Sequence, residues 1–232
     1  MIKVEYIDVW GFEHAIRGMR NPMNSWERSD SLYGTANIEL ENGGVANKII
    51  CVAGENDIDL MKRLYKGGTE HRKYLRQISV SMDVVAPLYW WKEFDTYKVG
   101  VTSNSCSTMH KIHAKEFALD DFSHEHLTST GIDLLENTID LLNDWRDWYI
   151  RWDKISSVIT KEIECKKDVW WQMIQLLPSS YNQRRTIKMN YENVMNIINQ
   201  REHHKLDEWR NFVEKLKKLP YVMEIRDEKG TK

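Results

Sequence analysis

Residues 177–209 read LPSSYNQRRTIKMNYENVMNIINQREHHKLDEW, and the order of elements in this run points to the fold class. Leu177-Pro178 closes the helix before it, since proline supplies no N–H and restricts the residue ahead of it. RRTIKM (184–189) reads as a short strand. Asn190 carries the side-chain acceptor that caps a helix start, and the helix it opens runs to about Asn199. Lys205 to Leu219 is the last helix, stopped by Pro220. The charged tail RDEKGTK is expected to fray.

Working back from this run, Ile155–Leu176 is expected as one helix and Asp133–Trp152 as a longer amphipathic one. The stripe of the longer helix is Leu134, Leu135, Ile139, Leu142, Trp145, Trp148 and Tyr149. ISVSMDVVA (78–86) alternates and is β-branched, so it is a strand. Pro87 then stands at the first turn of an aromatic helix, LYWWKEFDTY. VGVTSNSCST (99–108) has loop composition. Asp57–Lys66 is a helix closed by Gly67-Gly68, and Thr69 caps a further one to about Arg76. Residues 2–10 open the chain as a strand, and Phe12–Met19 follows as a short helix. Residues 23–54 are mixed, with a turn at Gly43-Gly44 and a short strand at IICVAG (49–54). Helices and strands without a βαβαβα rhythm make an α+β fold rather than a doubly wound sheet.

The totals set bounds. A chain of 232 residues, 41% hydrophobic and 29% charged, is long enough to bury a real core as a single domain. A formal charge of −2 gives no broad footprint for duplex nucleic acid, though it allows a local basic pocket for one phosphate. Cys51, Cys106 and Cys165 are too far apart for a CxxC metal pattern or a disulfide framework. No apolar run approaches the roughly 18 residues a membrane span needs. The expected location is the cytoplasm.

Two stretches resemble the flavin-dependent thymidylate synthases. In 177–209, Leu177, Pro178, Asn190, Met195, Asn196 and Arg201 fall where that family has Leu-Pro, an Asn-x-Arg-Ser-Leu helix start and a Met-Asn-Phe-Leu-x-x-Arg run. In EHRKYLRQISVSMDVVAPLYWWKEFDTYKVGVTSNSCSTMH (70–110), His71 matches a flavin-contacting histidine and Ala86-Pro87 a family dipeptide. Thr102, Asn104 and Ser107 match a Ser-x-Asn-x-x-Ser pattern there. Arg17 and Arg20 are similar to an arginine-bearing helix near the family's N-terminus. The chain departs from the pattern at Thr96-Tyr97-Lys98, where the family has Arg-His-Arg, at Met109-His110 for Arg-Tyr, and at Glu192 for arginine.

The resemblance implies one α+β domain over 1–232, with a mostly antiparallel sheet and flanking long helices. It implies a homotetramer with FAD at subunit interfaces. The family reaction converts dUMP to dTMP with methylenetetrahydrofolate as carbon donor and NADPH as hydride source. By the same resemblance FAD would meet His71, Lys73, Tyr97, Lys98, Asn190, Asn196 and His204. A pyrimidine nucleotide monophosphate would meet Glu93, Lys98, Asn104, Ser105, Ser107, Arg184 and Arg201. No protein side chain is assigned the chemical step, because the cofactor carries it. Arginine suits a phosphate because its planar fork pairs two oxygens at once. Lys98 keeps one charge in the altered signature, and Arg184 with Arg185 stands near enough in sequence to compensate. Cys106 in the hydroxyl-rich loop is either a nucleophile or an ordinary polar-loop residue. His124-Glu125-His126 is either a metal site or a solvated loop, the latter favoured by the lack of distant partners. The charge losses leave a second reading open, a non-catalytic or repurposed nucleotide-binding protein on the same scaffold.

Overall fold

The computed structural model describes residues 2–39, 43–155 and 162–227. Its most regular strand is β4 (Ser79–Pro87), in which Val80, Met82, Val84 and Ala86 are all essentially inaccessible while the residues between them are half-buried. Full burial of such a side chain is worth about 1.5–3 kcal/mol, so the alternation fixes which face turns inward. A four-stranded sheet has the order β1 (Lys3–Trp10), β4, β6 (Asn182–Asn190), β5 (Thr102–Ser105). A separate antiparallel hairpin joins β2 (Leu32–Glu39) to β3 (Val45–Val52), with Leu32 opposite Val52 and Glu39 opposite Val45. The fold is α+β with antiparallel sheets, as expected.

The chain divides into two compact units. The first comprises residues 1–5, 83–97 and 103–186. Its core joins α5 (Ser129–Ile150) to α7 (Lys166–Leu176) through Leu135, Ile139, Leu142 and Met173, with Phe117 and Phe122 packed on them. Leu134 is 69% exposed and lies off this stripe. The helix starts at Ser129, earlier than its apolar pattern, because Thr128 caps it through Gly131 N–H at 3.3 Å. The short α6 (Trp152–Ile155) follows it. α7 begins at Lys166 rather than near Ile155, and the expected stretch over 156–161 lies outside the described residues. α3 (Leu88–Phe94) buries Trp90, Trp91 and Phe94 completely. Pro87 ends β4 and stands just before this helix instead of inside its first turn.

The second unit comprises residues 6–82, 98–102 and 187–232. It holds α1 (Phe12–Arg20), α2 (Glu55–Lys66), α8 (Tyr191–Arg201), α9 (Asp207–Lys217) and α10 (Val222–Arg226). The expected helix after Thr69 is a single 3-10 stretch, Arg72–Gln77. The mixed region is more regular than its composition suggested, since β2 and β3 each run eight residues. Leu32, Val45, Ile49 and Val52 on that hairpin are more than half exposed.

Inside this unit Asp57 is fully buried beside Arg20, whose Nε donates to Oδ1 at 2.6 Å. The other carboxylate oxygen accepts from the Ser29 and Ser31 hydroxyls, both at 2.6 Å, and from Ser31 N–H at 3.2 Å. Burial pushes the Asp57 pKa up, but hydrogen bonds from Ser29, Ser31 and Arg20 outweigh it and hold the pKa below its ordinary value. Arg20, which the resemblance set in a family helix, is thus a structural ion-pair partner.

Candidate functional site

In the first unit a cleft of about 440 Å³ is lined by Ser107, Thr108, Lys111, Asn182, Arg184 and Lys3, among others. Each arrives for a local reason. Ser107 caps the short α4 (Thr108–Lys111), its Oγ accepting from His110 N–H at 3.0 Å. β6 fixes the adjoining backbone: Cys106 N–H donates to the Arg184 carbonyl at 3.0 Å, and Gln183 Nε2 donates to the Cys106 carbonyl at 2.8 Å. Arg184 is steadied by Glu5 at 3.1 Å and Asp83 at 3.4 Å, yet its side chain stays nearly half exposed. Lys115, also in the lining, pairs with Asp121 at 2.7 Å. Lys3 and Lys111 make no ion pair among the described residues. Asn182 buries its Oδ1 with no hydrogen-bond partner among the described residues. The cleft therefore combines hydroxyl donors, four basic side chains (Lys3, Lys111, Lys115 and Arg184) against the two carboxylates of Asp120 and Asp121, and an orphaned amide acceptor. That set suits an anionic ligand bearing an N–H.

Ser107 and Arg184 are brought together here, and Cys106 joins them in the lining. Asn104 and Ser105 are exposed on β5, a strand where loop composition had suggested none; pairing along the sheet edge supplies the order its hydroxyl-rich sequence hides. Glu93 is half-buried in α3 and its carbonyl accepts the Thr96 hydroxyl at 2.7 Å. Tyr97 follows with its ring 6.2 Å from Phe94. Arg185 is taken up by packing: its guanidinium lies 4.3 Å from the Trp91 ring centre and bonds Asp95 at 2.7 Å and Gln183 at 2.9 Å.

The second unit carries the other candidates. Asn190 caps α8, its Oδ1 accepting from Asn193 N–H at 3.0 Å. Its amide nitrogen abuts Gly100, where a Cβ would lie 2.6 Å away and φ is +76°. Only glycine fits that approach without strain. Lys98, His71 and Lys73 are exposed, and the His71 ring rests against Gly67. Asn196 is half-buried on α8. Arg201 and His204 meet over one aromatic surface: the Arg201 guanidinium is 4.7 Å and the His204 ring 6.1 Å from the centre of Trp209. Glu192 forms a two-pronged pair with Arg76 at 2.6 and 3.2 Å.

No His, Cys, Asp or Glu grouping among the described residues could hold a metal ion. Glu125 instead accepts from Ser123 Oγ and His124 N–H in its loop. Burial, then the Glu13 and Asp57 carboxylates, push the Cys51 thiol up to about 11, which keeps it protonated at neutral pH. Lys3, Lys111, Lys115 and Asn182 were not found from sequence. They are scattered along the chain and share no local pattern.

Neither a protein-family model nor a curated protein sequence matches the chain. Solved structures do. The structure of thymidylate synthase X (ThyX) from Helicobacter pylori with FAD and dUMP matches over 97% of both chains, with a TM-score of 0.61 and 14% identity. A second structure of the H. pylori flavin-dependent enzyme, also complexed with FAD and dUMP, gives the same coverage and TM-score at 15% identity. The fold is that of ThyX. At this identity the likeness establishes the ThyX fold alone; the cleft and the α8 cluster come from this chain's own side chains. No described helix is long and apolar enough to cross a membrane.

Proposed function

We propose that the chain binds a pyrimidine nucleotide monophosphate, dUMP first, and FAD, and methylates the pyrimidine with methylenetetrahydrofolate and NADPH. The first-unit cleft carries this reading. Lys3, Lys111 and Arg184 would take the phosphate with the hydroxyls of Ser107 and Thr108. The orphaned Asn182 Oδ1 is an acceptor of the kind that pairs with a uracil N–H. The likeness to structures holding FAD and dUMP supports the same ligand pair.

The second unit's donors fit a flavin nucleotide. Exposed Lys73 and Lys98 would supply positive charge for its diphosphate, and His71 and Asn196 would supply polar ring contacts. FAD, when bound, supplies the hydride chemistry. The chain's own part is to hold the nucleotide by its phosphate and orient the pyrimidine edge. Arg201 over Trp209 would offer a guanidinium already fixed in place. The proposed assembly is a homotetramer. The apolar hairpin, with Leu32, Val45, Ile49 and Val52 outward, is a surface that further copies would cover. Light scattering should return four times the chain mass, and a monomer at micromolar concentration would remove that part of the reading.

A second reading, a nucleotide-binding protein without turnover, is favoured by Glu192. It neutralises Arg76 where the resemblance expects an arginine. One experiment separates the two. The purified protein is titrated with FAD while its visible spectrum is followed, then with dUMP by calorimetry. A bound-flavin spectrum with dUMP binding supports the enzyme. dUMP binding with no flavin uptake supports the second reading, and failure of both ligands sinks both.

A further inference from the structure

The first unit has a second concavity, of about 480 Å³, lined by Met109, His110, Tyr149, Lys166, Lys167 and Trp170. Its volume is within the range of small-ligand pockets, and its walls are aromatic and cationic. Trp170 is locked in place, its indole N–H donating to the Met109 carbonyl at 3.0 Å. Lys166 Nζ lies 4.6 Å from the centre of the Tyr149 ring, and the His113 ring is also 4.6 Å from it.

The charge balance here is unusual for a chain of net charge −2. Neither Lys166 nor Lys167 makes an ion pair among the described residues. The neighbouring Arg146 spends its Nε on the His113 carbonyl at 3.0 Å rather than on a carboxylate. The nearby Asp168 is committed to backbone, accepting from Glu164 and Cys165 N–H at 3.0 and 2.8 Å. His113 registers the resulting field: burial, then Lys111, Lys166 and Arg146, lower its pKa. Its buried Nδ1 has no hydrogen-bond partner among the described residues. Lys166 and Lys167, gathered against aromatic walls, repel one another, the Asp168 carboxylate being near enough to interact with Lys167, and a bound anion adds to that relief. An anion with a planar ring also gains stacking and cation–π contact.

We propose that this concavity is a second ligand site, for a mononucleotide whose base lies against Trp170 and whose phosphate is held by Lys166 and Lys167. It does not depend on the cleft at Arg184. The test is calorimetry of the full chain with AMP, with adenosine and with inorganic phosphate. AMP is expected to bind at least tenfold more tightly than either fragment. Binding should weaken at least tenfold in Lys166→Glu/Lys167→Glu, and also in the milder Lys166→Gln/Lys167→Gln. It should persist in Arg184→Ala, which separates it from the first cleft. AMP binding that ignores both double substitutions, or no AMP binding at all, would overturn the proposal.

Discussion

Asp57→Ala is expected to destabilise the second unit by about 3–5 kcal/mol, the largest single effect foreseen for this chain. The carboxylate is 0% exposed and answers a buried guanidinium, two hydroxyls and a backbone N–H at once. Removing it leaves Arg20 charged, desolvated and unpaired, which costs far more than the pair itself is worth. Pairing the loss with Arg20→Met should recover most of the stability, since a buried ion pair exchanged for apolar side chains is often close to neutral. Urea denaturation of the two variants checks this; equal losses in single and double variants would refute it. The pH dependence follows from the same contacts. Because the folded pKa of Asp57 lies below the ordinary 3.8, its contribution is complete above that value. It is lost as pH falls through the depressed folded value, so acid should unfold the wild type more readily than the double variant.

Arg184→Ala should weaken dUMP binding about ten- to a hundredfold, corresponding to the roughly 1.5–3 kcal/mol of a hydrogen bond to a charged group. Among the described residues, Arg184 is the one guanidinium in the cleft lining. Glu5 and Asp83 hold it at 3.1 and 3.4 Å, so it is placed in advance, although these carboxylates also compete with an incoming phosphate. Arg184→Lys should restore only part of the affinity, since an ammonium cannot pair two oxygens as a fork does. Glu5→Gln should tighten binding by removing one competitor. Calorimetric dissociation constants for the three variants are the measurement. An affinity unchanged in Arg184→Ala would move the phosphate elsewhere.

What the sequence disclosed depended on whether a signal was local. The run from β6 through Asn190 into α8 was legible because strand, cap and helix follow one another directly, and Asn190 does cap the helix. The alternation of β4 was legible because one of its faces is fully buried and the other only partly. β5 was hidden by its serines, threonine and asparagine, whose order comes from an adjacent strand and not from their own preference. Asp57 gave no sign of burial, since an acid near a helix start ordinarily faces water. The cleft was half legible. Ser107 was named by family layout and Arg184 by its nearness in sequence, whereas Lys3 and Asn182 reach it only through the folding of the chain.

The tryptophans make the two units optically unequal. Trp90, Trp91, Trp145, Trp148, Trp152, Trp170 and Trp171 all belong to the first unit, leaving Trp10, Trp26 and Trp209 to the second. Trp90 and Trp91 sit 4.9 Å apart at 81°, close enough for their excited states to couple. Emission and near-ultraviolet dichroism therefore speak mainly for the unit holding the Arg184 cleft, whereas far-ultraviolet dichroism averages the whole backbone. Heat or urea traces that coincide across these wavelengths describe one cooperative body; traces that separate time the two units individually.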